Sequence, residues 1–401
     1  MGARTDARPL AIDGGTPVRA TLLPYARQVI SDEDVAAVTE ALRSDWLTTG
    51  PRVPEFEAAL VDATGARHAV AFSSGTAALH GAMAVAGLGP GDEAITTPMT
   101  FVATANAVLY TGATPRFADV RPDDLLIDPA AVAEAVTPAT RAIVAVDYAG
   151  HPADYPALRA VADAAPAGPA LLIADAAHSL GATLDGRAVG TLADLTVLSL
   201  HPAKIMTTGE GGAVLTDRDD LADALRRFRN HGISSELAER RDWTYAMVEL
   251  GYNYRLTDIA AALGRSQVRR LGDFLARRRE LAARYLERLA GHPAVELPAI
   301  SPDADPAWHF LFARLRPDAL RVGRAEVFRA LRAEGIGVNV HYIPVHTHPY
   351  YRERCPGVSM PVAEAAYERL LTLPLHAGMT DADLDDVVVA LDKVSEAYAA
   401  R

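Results

Sequence analysis

The stretch Ser199 to Gly212 reads SLHPAKIMTTGEGG and holds Lys204, one of only two lysines among 39 basic residues in this chain. Every other fixed cation is an arginine. A guanidinium stays protonated at any ordinary pH and cannot act as a nucleophile. A lysine in a desolvated pocket can lose its proton and bond to an aldehyde. The apolar run Leu195 to Leu200 just before it has the look of a buried parallel strand, which His201-Pro202 ends. Lys204 would then sit on a loop beyond a strand's C-terminal end, where α/β folds place their ligands. A solvated turn lysine fits the same letters. The second lysine, Lys393, falls off the apolar stripe of the last helical pattern and reads as solvated.

Other residues could share the chemistry. Asp175 closes the run Leu171 to Ala174, with Ala176-Ala177-His178 after it. A carboxylate there could keep a heteroaromatic ring nitrogen protonated and make that ring an electron sink. It could equally cap a helix, with His178 packed behind. Ser73-Ser74-Gly75-Thr76 joins a strand to a helix, and small residues at a helix N-terminus suit a phosphate. An ordinary Ser cap is the plain alternative. Phe101, after Thr97-Pro98-Met99-Thr100, could stack on a flat ring or pack in the core. The run from His341 to His348 is rich in histidine but has no Cys or carboxylate at ligand spacing. That favours a substrate-facing loop of cationic or donor imidazoles over a metal site. There is no Walker loop, no GxGxxG after the first strand and no Ser-His-Asp signature.

The elements that must position these residues alternate. Strands are expected at Ala69–Phe72, Ala94–Thr97, Thr114–Asp119, Ala142–Asp147, Leu171–Asp175, Leu195–Leu200 and Ala213–Thr216. Helices are expected at Ala77–Ala86, Phe101–Tyr110 and Tyr155–Ala164. This βαβ order implies a mostly parallel, doubly wound sheet. Ser31 with Asp34 opens an earlier helix by a capping-box pattern, with Val35, Val38 and Leu42 at helical spacing. A long helical pattern from Thr257 to Ala290, broken near Gly272, suits a spine to a smaller α/β unit. That unit has strands near Phe310–Leu315 and Val338–Tyr342, a helix at Arg324–Glu334, and a last helix from Thr380. The expected division is an arm at 1–30, a large domain at 31–256, and a spine with the small domain at 257–401.

At 401 residues the chain can bury a large core, and half its residues are hydrophobic. The net charge of −12 argues against nucleic acid as a partner. No apolar run reaches membrane-span length, and no charged-then-apolar signal opens the sequence. Met1-Gly2 hints at myristoylation, but Asp6 stands where Ser or Thr is needed. The lone Cys355 can form no internal disulfide, which suits the cytoplasm.

With these residues in view, the chain resembles the DegT/DnrJ/EryC1/StrS sugar aminotransferases. The resemblance runs from about Ala11 onward and rests on SSGTAALH, TPMTFVATANAV, ADAAHSLGA, SLHPAKIMTTGEGG, GYNYRLTDIAAALG and HYIPVH. Within that family, LPYARQVISDEDV, SDWLTTGP, NAVLYTGATP and VHYIPVHTHPYY resemble the 4-aminotransferases of the pseudaminic-acid pathway. The resemblance implies fold type I, that of aspartate aminotransferase, with a seven-stranded sheet and a smaller C-terminal domain. It implies pyridoxal 5′-phosphate as cofactor, bonded to Lys204, with Asp175 at the pyridine nitrogen. His178 would lie near the ring hydroxyl, Phe101 on the ring face, and Gly75, Thr76 and Ser199 at the phosphate. Asn253 would reach that phosphate from the partner subunit of a homodimer with shared active sites.

The resemblance further implies a transaminase moving an amino group from L-glutamate to the C4 keto group of a nucleotide-linked 4-keto-6-deoxy sugar. Trp46, Tyr245 and His341 mark the loops expected to meet that substrate. Amination at C3 or of a cyclitol, and sugar dehydration, are the alternatives. Relatives that dehydrate carry histidine in place of the lysine, which Lys204 argues against. A non-catalytic PLP-binding regulator would need an added DNA-binding module, for which neither end shows the room or the basic charge.

Overall fold

The computed structural model describes residues 9–234 and 242–400. The Met1-Gly2/Asp6 reading and the first residues of the arm lie outside them. The strands run β1 (His68–Phe72), β2 (Glu93–Thr96), β3 (Thr114–Phe117), β4 (Thr140–Val146), β5 (Leu171–Asp175), β6 (Thr183–Leu184), β7 (Arg187–Ala188), β8 (Leu195–Ser199), β9 (Gly212–Thr216), β10 (Val295–Glu296), β11 (Ala304–Asp305), β12 (Leu311–Leu315) and β13 (Leu370–Leu373).

Seven of them form the main sheet, in the order β1-β9-β8-β5-β4-β2-β3. β9 alone runs against its neighbours. The runs that read as continuously apolar in sequence are the strands buried on both faces, as a parallel sheet between helices requires. All six parallel strands therefore end on one edge, and the crossover loops gather there.

Flanking helices follow local signals. Ser31 and Asp34 form a true capping box on the helix Asp32–Arg43. Its expected inward stripe is not buried, however: Val35 and Leu42 face out, and Asp34 and Ala41 are the residues inside. Asp34 is held by Gln267 Nε2 and Arg270 Nη1, so a polar network rather than an apolar stripe docks this helix. The long spine is two helices, Asp258–Arg269 and Leu271–Arg288, broken at Arg270.

A second sheet, β10-β12-β13, packs with the helices Arg324–Ala333 and Asp381–Ala397 around their own core, which Leu10 and Leu23 of the arm complete. Leu384, Val387, Val388, Leu391 and Val394 are all buried, as their spacing predicts. Two expectations fail here. The stretch Val338–Tyr342 is no strand; it makes a single bridge, Asn339 to Thr372, and then turns away towards the main sheet. Lys393 is not solvated: its Nζ donates to the Glu334 carboxylate at 2.8 Å and to Thr16 O at 2.9 Å. Glu334 also accepts the Ala11 and Val18 amides, so the pair ties the arm to the small unit. No helix among the described residues is long and apolar enough to cross a membrane.

Candidate active site

The C-terminal edge of the main sheet opens into a cavity of about 580 Å³. Lys204, Asp175, Gly75, Thr76, Phe101, His178, Ser199 and His341 all line it. Eight of the eleven residues singled out in the sequence are thus brought together by five different connections. Asn253, Trp46 and Tyr245 are exposed and lie outside it in this chain.

Lys204 follows β8 in a tight loop. Its backbone N–H donates to His201 O at 2.9 Å. Two hydroxyls hold this loop: Thr207 Oγ1 donates to Leu200 O and Thr208 Oγ1 to Glu210 O. Behind the loop sits Arg278, fully buried, whose guanidinium donates to the carbonyls of Trp308, His309, Leu375 and Lys204. No carboxylate among the described residues pairs with it. The Lys204 amine makes no hydrogen bond or ion pair among the described residues. Its side chain keeps some accessible surface only because it faces the cavity, and the enclosing protein pushes its pKa down to about 8. Burial is the cause, partly offset by the charge of Asp175.

Asp175, at the end of β5, is held in place from two sides. Thr104 Oγ1 donates to its Oδ2 at 2.7 Å and the Ala177 amide to its Oδ1 at 3.2 Å. Burial raises its pKa; the Thr104 and Ala177 hydrogen bonds and nearby Lys204 pull the other way. The neighbouring Asp147, at the end of β4, is buried among Ser179, Tyr155 and the Ala153 amide, and its pKa is pushed up to about 6.

Burial disfavours the cationic form of His178, His309 and His341, which serve as donors or acceptors. His178 Nε2 meets Tyr342 Oη at 3.0 Å, and its ring lies 4.4 Å from that of His309. Burial drives the His178 pKa well down and takes His341 to about 3. The cationic option for His341 therefore falls. Its Nδ1 instead meets Thr372 Oγ1 at 2.9 Å.

Phe101 lies two residues ahead of the helix Ala103–Tyr110 rather than inside it, lining the cavity with 58% of its surface exposed. On the opposite wall, Ser74 caps the helix Gly75–Val85, its Oγ accepting from the Ala77 amide. The plain capping reading is thus correct for Ser74. It leaves the Gly75 and Thr76 amides at the helix start without intrahelical acceptors. A Cβ on Gly75 would lie 3.0 Å from Ser199 Cβ, and one on Gly212 would lie 2.6 Å from Ser74 O. Two glycines thus bring the helix start, β8 and β9 into close contact.

Thr104, Thr100, Tyr342, Tyr25 and His309 were not visible as site residues in the sequence. Apart from Thr100, which meets Thr104 four positions on, their partners are far away along the chain. Thr100 and Thr104 within TPMTFVATANAV, Tyr25 within LPYARQVISDEDV and Tyr342 within HYIPVH lay in motifs that hinted at the place.

A doubly wound sheet whose strand ends gather a lysine of lowered pKa, a buried carboxylate and a free helix N-terminus has the parts that an enzyme working through an aldehyde cofactor needs. The chain belongs to the DegT/DnrJ/EryC1/StrS aminotransferase family, whose model matches residues 28–392. It is 40% identical over 380 residues to the spore coat polysaccharide biosynthesis protein SpsC of Bacillus subtilis, covering 93% of this chain and 97% of SpsC. Among solved structures it is similar to Helicobacter pylori PseC, an aminotransferase involved in the biosynthesis of pseudoaminic acid. That match has a TM-score of 0.88 and 29% identity, over 94% of this chain and all of PseC. It is also similar to Spr1654 of Streptococcus pneumoniae in its PLP form, with a TM-score of 0.86 and 30% identity over 94% and 99% of the two chains. The fold is thus that of the fold type I transferases, and the cofactor is pyridoxal 5′-phosphate.

The cavity fits that cofactor. His178 Nδ1 is buried with no partner among the described residues, a cost that a polar ligand atom would remove. The unpaired amides of Gly75 and Thr76, beside the Ser199 hydroxyl, form an anion cradle.

Proposed function

We propose that this enzyme moves an amino group from L-glutamate to the C4 keto group of a nucleotide-linked 4-keto-6-deoxy sugar. One observation carries the reading: a lysine amine with its pKa lowered to about 8 lines the same cavity as a buried carboxylate. When bound, pyridoxal phosphate supplies an aldehyde for amines and a ring that accepts electrons.

The chain's own residues divide the remaining work. Lys204 holds the cofactor between turnovers. With the cofactor bound and its amine free, Lys204 Nζ would take the proton from the donor's α-carbon. A pKa near working pH suits an amine that must both accept and return a proton. Asp175 keeps a proton on the ring nitrogen through its buried carboxylate. His178 would lie near the ring hydroxyl, Phe101 would cover one ring face, and Gly75, Thr76 and Ser199 would hold the phosphate. The sugar substrate is favoured by the relatives: PseC acts in pseudoaminic acid biosynthesis, and SpsC in making a spore coat polysaccharide.

The working unit is a homodimer in this reading. No arginine among the described residues lines the cavity, although arginine supplies nearly all the chain's fixed positive charge. A nucleotide diphosphate and a dicarboxylate donor need more cationic partners than one chain offers there. Trp243, Met247, Val248 and Leu250 expose an apolar segment beside Tyr245, which suits burial against a second copy. Asn253 and the Trp46 and Tyr245 loops would then complete the partner subunit's site.

The test is a panel of nucleotide-linked keto sugars assayed with L-glutamate, the products followed by mass and NMR. The expected product carries a new amine at C4, formed with one equivalent of 2-oxoglutarate. Amination at C3, amination of a cyclitol alone, or loss of water without amine transfer would overturn the assignment.

A further inference from the structure

We propose that Thr104 is a positioning residue that fixes the orientation and the ionised state of Asp175, with Thr100 setting the direction of its proton. The inference rests on the reading of Asp175 as the partner of the cofactor's ring nitrogen.

Thr104 is buried, and its Oγ1 lies 2.7 Å from Asp175 Oδ2 and 2.7 Å from Thr100 Oγ1. It also lies 3.3 Å from Phe101 O. A hydroxyl has one proton to give. Its contacts to Asp175 and Thr100 are equally short, but the one to the carboxylate oxygen is charge-assisted and takes that proton. The Thr100 hydroxyl must then donate to Thr104, because Thr104 has only lone pairs left to offer it. The chain of donation therefore runs Thr100 to Thr104 to Asp175 Oδ2. The Ala177 amide takes Oδ1 at 3.2 Å, so neither oxygen can rotate without losing a partner.

Burial alone would favour a neutral Asp175, and a neutral acid cannot hold the ring nitrogen protonated by its charge. The Thr104 hydroxyl is the first of the groups that work against burial. Other groups act on the same carboxylate. Lys204 faces it across the cavity and lowers its pKa. Asp147 from the end of β4 and the phenols of Tyr155 and Tyr342 interact with it through their charges, and His178 lies on the loop just after it. Of the hydroxyls in this group, only that of Thr104 is hydrogen-bonded to Asp175 among the described residues. The same turn presents Phe101 to the cavity, so one short segment places both Phe101 and the donor to the Asp175 carboxylate.

Three substitutions test this. Thr104→Val keeps the shape and removes the hydroxyl, Thr104→Ser keeps the hydroxyl, and Thr100→Val removes only the relay. The first readout is the carboxyl carbon of Asp175, titrated by NMR in cofactor-free protein. The second is the pH profile of kcat for the loaded enzyme. In Thr104→Val, the Asp175 midpoint should rise by about one pH unit, and the acid limb of kcat should move the same way. Its kcat should fall about tenfold or more, with KM within about twofold. Thr104→Ser should stay near wild type, and Thr100→Val should move both readouts in the same direction by less. An unchanged Asp175 midpoint in Thr104→Val would overturn the proposal, as would a Thr104→Ser variant as impaired as Thr104→Val. If Asp175→Asn keeps wild-type turnover, the reading of Asp175 fails. The cofactor-free titration still decides the role of Thr104.

Discussion

Lys204 and Lys393 are the same side chain in opposite settings. Lys393 leaves a helix of the small unit and finds a fully buried carboxylate, Glu334, and a backbone carbonyl. Lys204 leaves a loop at the edge of the main sheet and finds neither among the described residues; Asp175 acts on it through its charge alone. The first setting keeps an ammonium and uses it to tie the arm down. The second disfavours the ammonium and leaves an amine poised to react. Arg278 lies between them in kind: a buried cation satisfied only by carbonyls, one of which belongs to Lys204, with its pKa drawn down to about 10 by burial. The environment, rather than the residue type, decides which cation is chemistry and which is structure.

The comparison can be broken most directly by swapping the charge type. Lys204→Arg keeps a cation that cannot deprotonate, so kcat should fall about 10⁴-fold or more, as in Lys204→Ala. Lys393→Arg should leave kcat within about twofold. Equal losses at both positions would erase the distinction.

Arg278→Met removes the donors of four buried carbonyls. It should cost about 3 kcal/mol or more in urea unfolding, with the Lys204 loop loosened and kcat reduced. Lys393→Met leaves Glu334 with only its two amide donors. It should cost about 2 kcal/mol with kcat unchanged, checked by the same unfolding curve and a steady-state assay.

The pH dependence sharpens the same point. Below pH 8 the Lys204 amine is protonated and cannot attack an aldehyde; as pH rises through 8 it becomes neutral. The rate of cofactor uptake by cofactor-free protein should therefore rise with pH, half-maximal near 8, and level off above it. A midpoint near the ordinary lysine value of 10.5 would mean that burial does not act as described. The smallest effect is expected from Gly75→Ala. The new Cβ would press on Ser199, and cofactor affinity should fall about tenfold as read by titration.

Much of this arrangement could be read in the sequence. Each expected strand of the main sheet lies within about two residues of an observed one, and β5 coincides with its expected bounds. Strands buried on both faces write an unbroken apolar run, and glycines and prolines mark their ends. The site was legible where one residue stood out by rarity, as Lys204 does, or by position at a strand end, as Asp175 does. It was not legible where a role depends on a partner distant in sequence. Thr104 looks like any helix residue until Asp175, 71 positions on, accepts its hydrogen bond. Tyr342 meets His178 across 164 positions. Lys393 was misread because helix periodicity reports only which side faces the core. It cannot reveal that Glu334, at the end of another helix, waits just off the stripe. Val338–Tyr342 had a strand's composition, but only Asn339 found a partner strand, and the backbone then leaves the small unit for the cavity.

The rarity of lysine makes the central claim open to one measurement. Borohydride fixes the bond between a lysine and the cofactor aldehyde, and peptide mass spectrometry then locates the added mass. The account predicts one equivalent on the peptide containing Lys204 and none on the peptide containing Lys393. Label on Lys393, or a loaded enzyme that turns over with Lys204 unlabelled, would contradict it.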